Sequence, residues 1–158
     1  MPDNLEQNNR NNNIEKRENI IMAVMVFIFD NKKNLLLLKR IDNDQWEPVK
    51  GGIDIGEDWT KAALRELKEE TGMDPAKAPE LFSVVDDELD TSQGAKTKIK
   101  GYVTYCFIDE EKPTPSLDNN KDKEHMNYKW VSFGEIEKEK IYPPLANSLA
   151  VEIKKEIS

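Results

Sequence analysis

Three glutamates set three and four residues apart, Glu66, Glu69 and Glu70, are the side chains of this chain best spaced to do chemistry together. On a helix of 3.6 residues per turn such positions are surface neighbours, so a helix over Ala62 to Gly72 puts all three carboxylates on one side. Like charges at Glu66 and Glu70 repel, and more so where solvent is excluded, so a compensating cation is expected. Closely spaced hard oxygen donors suit Mg²⁺, with Mn²⁺ as a substitute. Such an ion binds through a few carboxylates and keeps its other positions for water and substrate phosphates. Arg65 stands one turn before Glu69 and can hold that carboxylate by a charge-assisted hydrogen bond without neutralising the cluster. Ahead of the helix, Gly51-Gly52 through Gly56 form a glycine loop whose backbone can approach a phosphate closely.

The elements that must position these groups are legible on either side. The helix is three-sided: Ala63, Leu64 and Leu67 are expected to face a core, and Lys61, Arg65 and Lys68 take the remaining arc. Asp58 is the expected N-cap, Gly72 the left-handed residue that ends the helix, and Asp74-Pro75 blocks its continuation. Upstream, Ile20 to Phe29 reads as an interior strand with two apolar faces, Asp30 to Asn34 as a turn, and Leu35 to Lys39 as the returning strand of a hairpin that ends near Arg40. Downstream, Leu81 to Val85, an acid-rich stretch at Asp86 to Asp90 and a turn at Thr91 to Gly94 lead into a long strand from Thr97 to Ile108 that should pair with the preceding one. Asp109 to Lys123, with Pro113, Pro115 and Asn119-Asn120, reads as a loop, and Tyr128 to Val131 as a short strand. Ser132 is placed to cap a small helix through Lys138. Pro143-Pro144 opens a last helix striped by Leu145, Leu149 and Ile153. The class is α/β, a mixed sheet covered on two faces.

The 158 residues are 37% hydrophobic and 34% charged, which suits one domain with a moderate core. A formal charge of -8 argues against an extended nucleic-acid or anionic-membrane surface, since such partners are held largely by Lys and Arg. Phosphate binding must then rely on metal and a few local bases. Cys106 is the only cysteine and reads as a small buried strand residue; without a disulfide, and with no apolar run long enough to span a bilayer, the expected location is cytoplasmic. Residues 1–13 are Asn-rich and offer almost nothing to bury, so they are expected to be a disordered tail ahead of a domain over 14–158. Monomer and homodimer stay equally open.

Taken together, Gly51, Glu57, Arg65, Glu66, Leu67, Glu69, Glu70, Gly72 and Met73 match every specified position of G-x5-E-x7-R-E-U-x-E-E-x-G-U, in which U is aliphatic. The chain thus resembles the Nudix family, enzymes that hydrolyse a nucleoside diphosphate linked to another group. A solvated acidic helix is the ordinary reading of such a charge run, but seven fixed residues and two aliphatic positions coincide by chance at only roughly 10⁻⁹ per window. The resemblance implies an α/β/α sandwich and a Mg²⁺-dependent pyrophosphohydrolase. It assigns Glu66 and Glu70 to the metal, aided by the main-chain carbonyl of Lys50. Glu69, in the same cluster, becomes the candidate general base held by Arg65, and Glu57 secures the loop and touches metal through water.

Two further stretches, WEPVKGG and EHMNYKW, resemble P-x-K-G and E-H-x-x-Y-x-W of the Nudix subset acting on dinucleoside polyphosphates such as diadenosine tetraphosphate. That resemblance adds Glu124 as a further metal carboxylate or an ordinary solvated one, and His125 as a hydrogen-bonding partner of substrate or a structural residue. Lys50, beside Gly51 and Gly52, offers a point charge to a phosphate chain. Tyr128 and Trp46 are each open to base stacking or to packing. A nucleoside triphosphate substrate, or a non-catalytic nucleotide-sensing module, are the alternatives.

Overall fold

The computed structural model describes residues 20–90, 96–117 and 124–158. The expected tail over 1–13, the turn at Thr91 to Gly94 and the end of the long loop lie outside the described residues. The elements are β1 (Ile20–Phe29), β2 (Leu35–Arg40), β3 (Trp46–Glu47), β4 (Val49–Gly52), α1 (Trp59–Thr71), β5 (Glu80–Asp90), β6 (Lys96–Phe107), β7 (His125–Val131), a 3-10 turn (Phe133–Lys138) and α2 (Pro144–Ile157).

β1 is the spine of a mixed sheet ordered β3-β2-β1-β6-β5, with β4 paired to β1 and β7 to β2. It runs parallel to β6 over its whole length, from Ile20 opposite Lys98 to Phe29 opposite Phe107. Its other edge is shared: β4 lies antiparallel along Ala23 to Val26, and β2 meets β1 only at Phe29 opposite Leu35. The expected β1–β2 hairpin therefore opens beyond its turn, because Leu35, Leu36, Leu37 and Leu38 are all buried and β2 finds its long partner in β7. β5 and β6 form the expected antiparallel pair, and the acid-rich Asp86 to Asp90 lies within β5.

Period-two alternation divides the core between the two sheet faces. Val24, Val26, Ile28, Leu36, Leu38 and Val49 pack against Ala62, Ala63 and Leu67 of α1. Phe27, Phe29, Leu35, Leu37 and Val103 pack against Ala146, Leu149, Ala150 and Ile153 of α2. The Asp30 turn is closed by its own carboxylate, which accepts from the backbone of Lys32, Asn34 and Lys112 and from Asn34 Nδ2.

Three expectations need correction. Leu64 and Leu145 face solvent, at 37% and 43% exposure, because the buried arcs of their helices are centred on Ala63 and Leu67 and on Ala146, Leu149 and Ala150. Ile20, Ile21 and Met22 are exposed, so β1 is two-sided only in its second half. The small helix through Lys138 is present as a 3-10 helix, but Ser132 makes no side-chain cap, and its carbonyl instead accepts from Glu135 N–H.

Candidate active site

α1 presents the acid cluster, and its two ends are fixed as expected. Asp58 accepts from Lys61 N–H at 2.8 Å, and Gly72 ends the helix with φ of 72° while donating to the Lys68 carbonyl. Gly56 turns the preceding loop with φ of 81°, a left-handed conformation that costs glycine little. Arg65 then ties loop to helix. Its guanidinium donates to both oxygens of Glu57 at 2.9 and 2.8 Å, to Glu66 at 2.8 Å and to the Gly52 carbonyl at 2.8 Å. The contact to Glu69, the partner expected from the sequence, is longer, 3.4 Å, and only the ion pair to Asp54 is longer still, 3.6 Å. The loop folds back far enough for Glu57 to take that place. The Arg65 bonds draw the Glu57 carboxyl down to about 2, and Glu57 in turn accepts from Asp54 N–H.

Glu66 and Glu70 turn inward, whereas Glu69 is about half-exposed. A β-carbon on Gly51 would lie 2.1 Å from the Glu66 carboxyl carbon, so the missing side chain at Gly51 is what admits Glu66 to the sheet edge. Glu70 is 2% exposed, and its Oε2 is buried without a hydrogen-bond partner. Burial, then the charges of Glu66, Glu124 and Glu47, push its carboxyl up to about 10 despite a backbone hydrogen bond from Lys50. Burial also raises Glu66, against the pull of Arg65. A donor atom from each of Glu70, Glu124 and His125 falls within 4.8 Å of the others, the one such set among the described residues, so Glu70 converges with the start of β7 rather than with Glu69.

An orphaned carboxylate oxygen among further carboxylates is the environment a hard divalent cation relieves, and this donor chemistry fits Mg²⁺ or Mn²⁺. Glu70, Glu124 and His125 offer donor atoms close enough to share one such ion, and the carboxyl of Glu66 lies near enough to act on the charge of Glu70.

Beside this cluster lies a group that the sequence does not advertise. Glu47 is fully buried and accepts from Arg40 at 3.1 Å on each oxygen, from Lys50 Nζ at 3.0 Å and from His125 Nε2 at 2.8 Å. His125 is buried, 3% exposed, and is held by Glu47 while it also belongs to the set with Glu70 and Glu124. Arg40 is held besides by both oxygens of Asp42, and these partners raise its pKa further. Tyr142 sits under both cations, 5.0 Å from Lys50 Nζ and 5.9 Å from Arg40. Arg40, Lys50, Gly51, Glu124 and Ala23 line a cleft of about 350 Å³. Gly52, next along, has open space around it and gives its carbonyl to Arg65.

The two residues open to stacking or packing, Trp46 and Tyr128, lie on opposite faces of the sheet. Trp46 packs on the α2 side, its ring 4.5 Å from Lys129 Nζ, and lines a separate hollow with Tyr142 and Asn147. Tyr128 packs half-buried on the α1 side, opposite Leu38 in the β2–β7 ladder.

The comparisons with known proteins agree with this geometry. An RNA pyrophosphohydrolase of Wolbachia sp. subsp. Brugia malayi is 40% identical over 65 residues, and the chain spans only 40% of that relative's length, as the match spans 40% of this chain. An RNA pyrophosphohydrolase of Nitratiruptor sp. is 31% identical over 129 residues, 76% of this chain and 80% of the relative. Among solved structures, the MutT protein of Methanosarcina mazei Go1 superposes with a TM-score of 0.69 at 23% identity, covering 88% of this chain and 96% of that one. A C. elegans Ap4A hydrolase binary complex does so with a TM-score of 0.61 at 22% identity, covering 87% and 97%. The NUDIX domain model matches residues 20–150, most of the chain, and with a mixed sheet, a loop-helix acid cluster and a relative aligned over three quarters of its length, this protein belongs to the Nudix family.

Proposed function

We propose that the chain is a divalent-metal-dependent pyrophosphohydrolase acting on a nucleoside diphosphate-linked substrate, with a dinucleoside polyphosphate such as diadenosine tetraphosphate as the leading class. The observation that carries the reading is the buried, unpartnered Glu70 oxygen among Glu66 and Glu124, a costly arrangement unless a cation completes it. A bound Mg²⁺ or Mn²⁺ supplies charge neutralisation along the phosphate chain and an activated water.

In this reading Glu66, Glu70 and Glu124 hold the metal, with the Lys50 carbonyl beside them, and Glu57 keeps the loop closed on Arg65. Glu69, the most exposed and most loosely held carboxylate of the helix cluster, takes the proton from the attacking water. Arg65 limits the rotation of Glu66 and Glu69. Lys50 and Arg40 face the cleft as fixed positive charges for phosphate oxygens.

The P-x-K-G and E-H-x-x-Y-x-W stretches, and the likeness of fold to an Ap4A hydrolase, support the dinucleoside class. Relatives named RNA pyrophosphohydrolase and dihydroneopterin triphosphate diphosphatase favour a second reading, a substrate ending in a triphosphate. A nucleotide screen with Mg²⁺ or Mn²⁺ and product identification separates them. Diadenosine tetraphosphate cut asymmetrically gives ATP and AMP, whereas a nucleoside triphosphate gives a monophosphate and pyrophosphate. Saturable nucleotide binding without turnover would instead make the protein a sensing module.

A further inference from the structure

The strand side of the cleft carries a fixed arrangement of charge whose centre is out of reach of solvent. Glu47 of β3 is fully buried and does not line the cleft, yet it touches both cations that do. Arg40 of β2 reaches each of its oxygens with Nη1 at 3.1 Å, and Lys50 of β4 reaches Oε2 at 3.0 Å. The other side of the Arg40 guanidinium is taken by Asp42, at 2.8 Å from Nε and 2.7 Å from Nη2. These contacts use most of the donor capacity of Arg40 and part of that of Lys50.

Counted as formal charges, the two cations are balanced by the two carboxylates that hold them. The other charged groups near the cleft are acids: Glu124 lines it, and Glu66 and Glu70 lie close enough to Glu124 to feel its charge. A metal-free phosphate chain therefore meets cations already matched from behind, with carboxyl groups beside them. A chain that carries its divalent ion brings a positive charge for the acids and keeps oxygens for the donors that Arg40 and Lys50 have left. Tyr142 lies 5.0 Å from Lys50 Nζ and 5.9 Å from the Arg40 guanidinium, so Glu47 is not the only group that keeps the two cations in place.

We infer that Glu47 is a specificity-determining residue: by matching Arg40 and Lys50 from the buried side, it makes the cleft discriminate against a phosphate chain that lacks its divalent ion. This role deepens the phosphoanhydride reading above and rests on it. Glu47 acts through Arg40 and Lys50 and is a positioning residue, not a catalytic one.

Glu47→Gln removes the charge and keeps the volume. The amide oxygen can stand in for Oε2 and accept from Lys50 and Arg40, and the amide nitrogen can donate to His125 Nε2. Binding of inorganic tripolyphosphate is measured by calorimetry at fixed ionic strength, first in a chelator and then with saturating Mn²⁺. The wild type should bind it about tenfold or more tightly with Mn²⁺ than without. Glu47→Gln should tighten metal-free binding by about fivefold or more, the order expected when a unit charge beside the cations is lost, and the gain should shrink as salt is raised. A merely structural role predicts the opposite, since a loosened or partly unfolded cleft binds less. Asp42→Asn removes the exposed partner of Arg40, should shift metal-free binding the same way by about twofold, and carries the test if Glu47→Gln does not fold. Unchanged or weaker metal-free binding in a folded Glu47→Gln, or in Asp42→Asn where only that variant folds, overturns the inference. So does a wild type that binds tripolyphosphate equally with and without Mn²⁺, or under neither condition. The predicted gain without turnover of any nucleotide would uphold the role of Glu47 and remove the hydrolase reading, whereas turnover without the gain would do the reverse.

Discussion

Replacing Glu70 by glutamine tests the centre of the proposed site through stability as well as turnover. Without metal the Glu70 carboxyl titrates near 10, against 4.5 for an ordinary glutamate, first because of burial and then because of neighbouring carboxylates. Between those two values the folded chain keeps a proton that the unfolded chain has released, so stability falls as pH rises through that window. At about 1.4 kcal/mol per unit, the stretch from 4.5 to pH 7 costs the metal-free fold about 3 kcal/mol. Glutamine escapes this titration but leaves an amide to be satisfied, at about 1–3 kcal/mol. Glu70→Gln in a chelator should therefore be as stable as wild type or up to about 2 kcal/mol more stable at pH 7, and its advantage should grow from about pH 5 to about pH 9. Saturating Mn²⁺ should reverse the order. An ion at a hundred times its Kd adds about 2.7 kcal/mol to the wild type and far less to the variant. Turnover should fall by about 10²–10³, the several kcal/mol expected when a metal ligand is lost. Melting curves with and without Mn²⁺ across pH, together with steady-state rates, provide the assay. A stability gap independent of pH, or wild-type turnover at limiting metal, would refute the reasoning.

Gly51→Ala should cut turnover at least tenfold and lower Tm modestly, since its β-carbon would meet the Glu66 carboxyl; full activity would show that Glu66 can move away without consequence. Lys50→Ala should raise KM more for a four-phosphate than for a three-phosphate substrate, and should also destabilise by about 1–3 kcal/mol because buried Glu47 loses a partner; equal KM effects would show that Lys50 does not read chain length. Tyr128→Leu should lower Tm with little change in KM, as a residue packed on the α1-side core, whereas unchanged Tm with a KM raised by about 1–3 kcal/mol would mean base stacking. Asp30→Asn should cost about 1–3 kcal/mol at neutral pH, since an amide places a donor against donors. The Asp30 carboxyl is held below 3.8 in the fold, so its contribution is present above that value and is lost as pH falls through the lower folded one. The gap to wild type should close in acid, and a constant gap would remove the charge from the explanation.

How much of this was legible in the sequence depends on the range of the interaction. Local signals carried α1 and its caps, since Asp58 and Gly72 act on their own helix. β1 was legible with its full bounds, because its apolar run needs no partner to be recognised. Errors arose where tertiary partners choose between local options. β2 has a turn suited to a hairpin but leaves β1 for β7, a partner some 90 residues on that no local pattern can name. Leu64 and Leu145 fit a helical stripe, yet small Ala62, Ala63, Ala146 and Ala150 let the helices approach the sheet on a slightly rotated arc, leaving each leucine at the margin.

The site divides along the same line. Glu57, Arg65, Glu66, Glu69 and Glu70 were readable because a single loop and helix carry them, and their spacing is their geometry. Glu47 and Arg40 were missed because a glutamate beside Trp46 and an arginine at a strand end look solvated until β2, β3, β4 and β7 bring their partners together. Their arrangement nonetheless follows from charge. Arg40 and Lys50 bring two positive charges to the strand side of the cleft, matched by the carboxylates of Glu47 and Asp42. The helix side crowds Glu66 and Glu70 beside Glu124. A phosphate chain alone finds nothing to pair with on that acid side. A phosphate chain with a divalent ion bound to it complements both, the ion against the acids and the outer oxygens against the bases. Neither half alone would explain why so many charges are kept close together at the edge of one sheet.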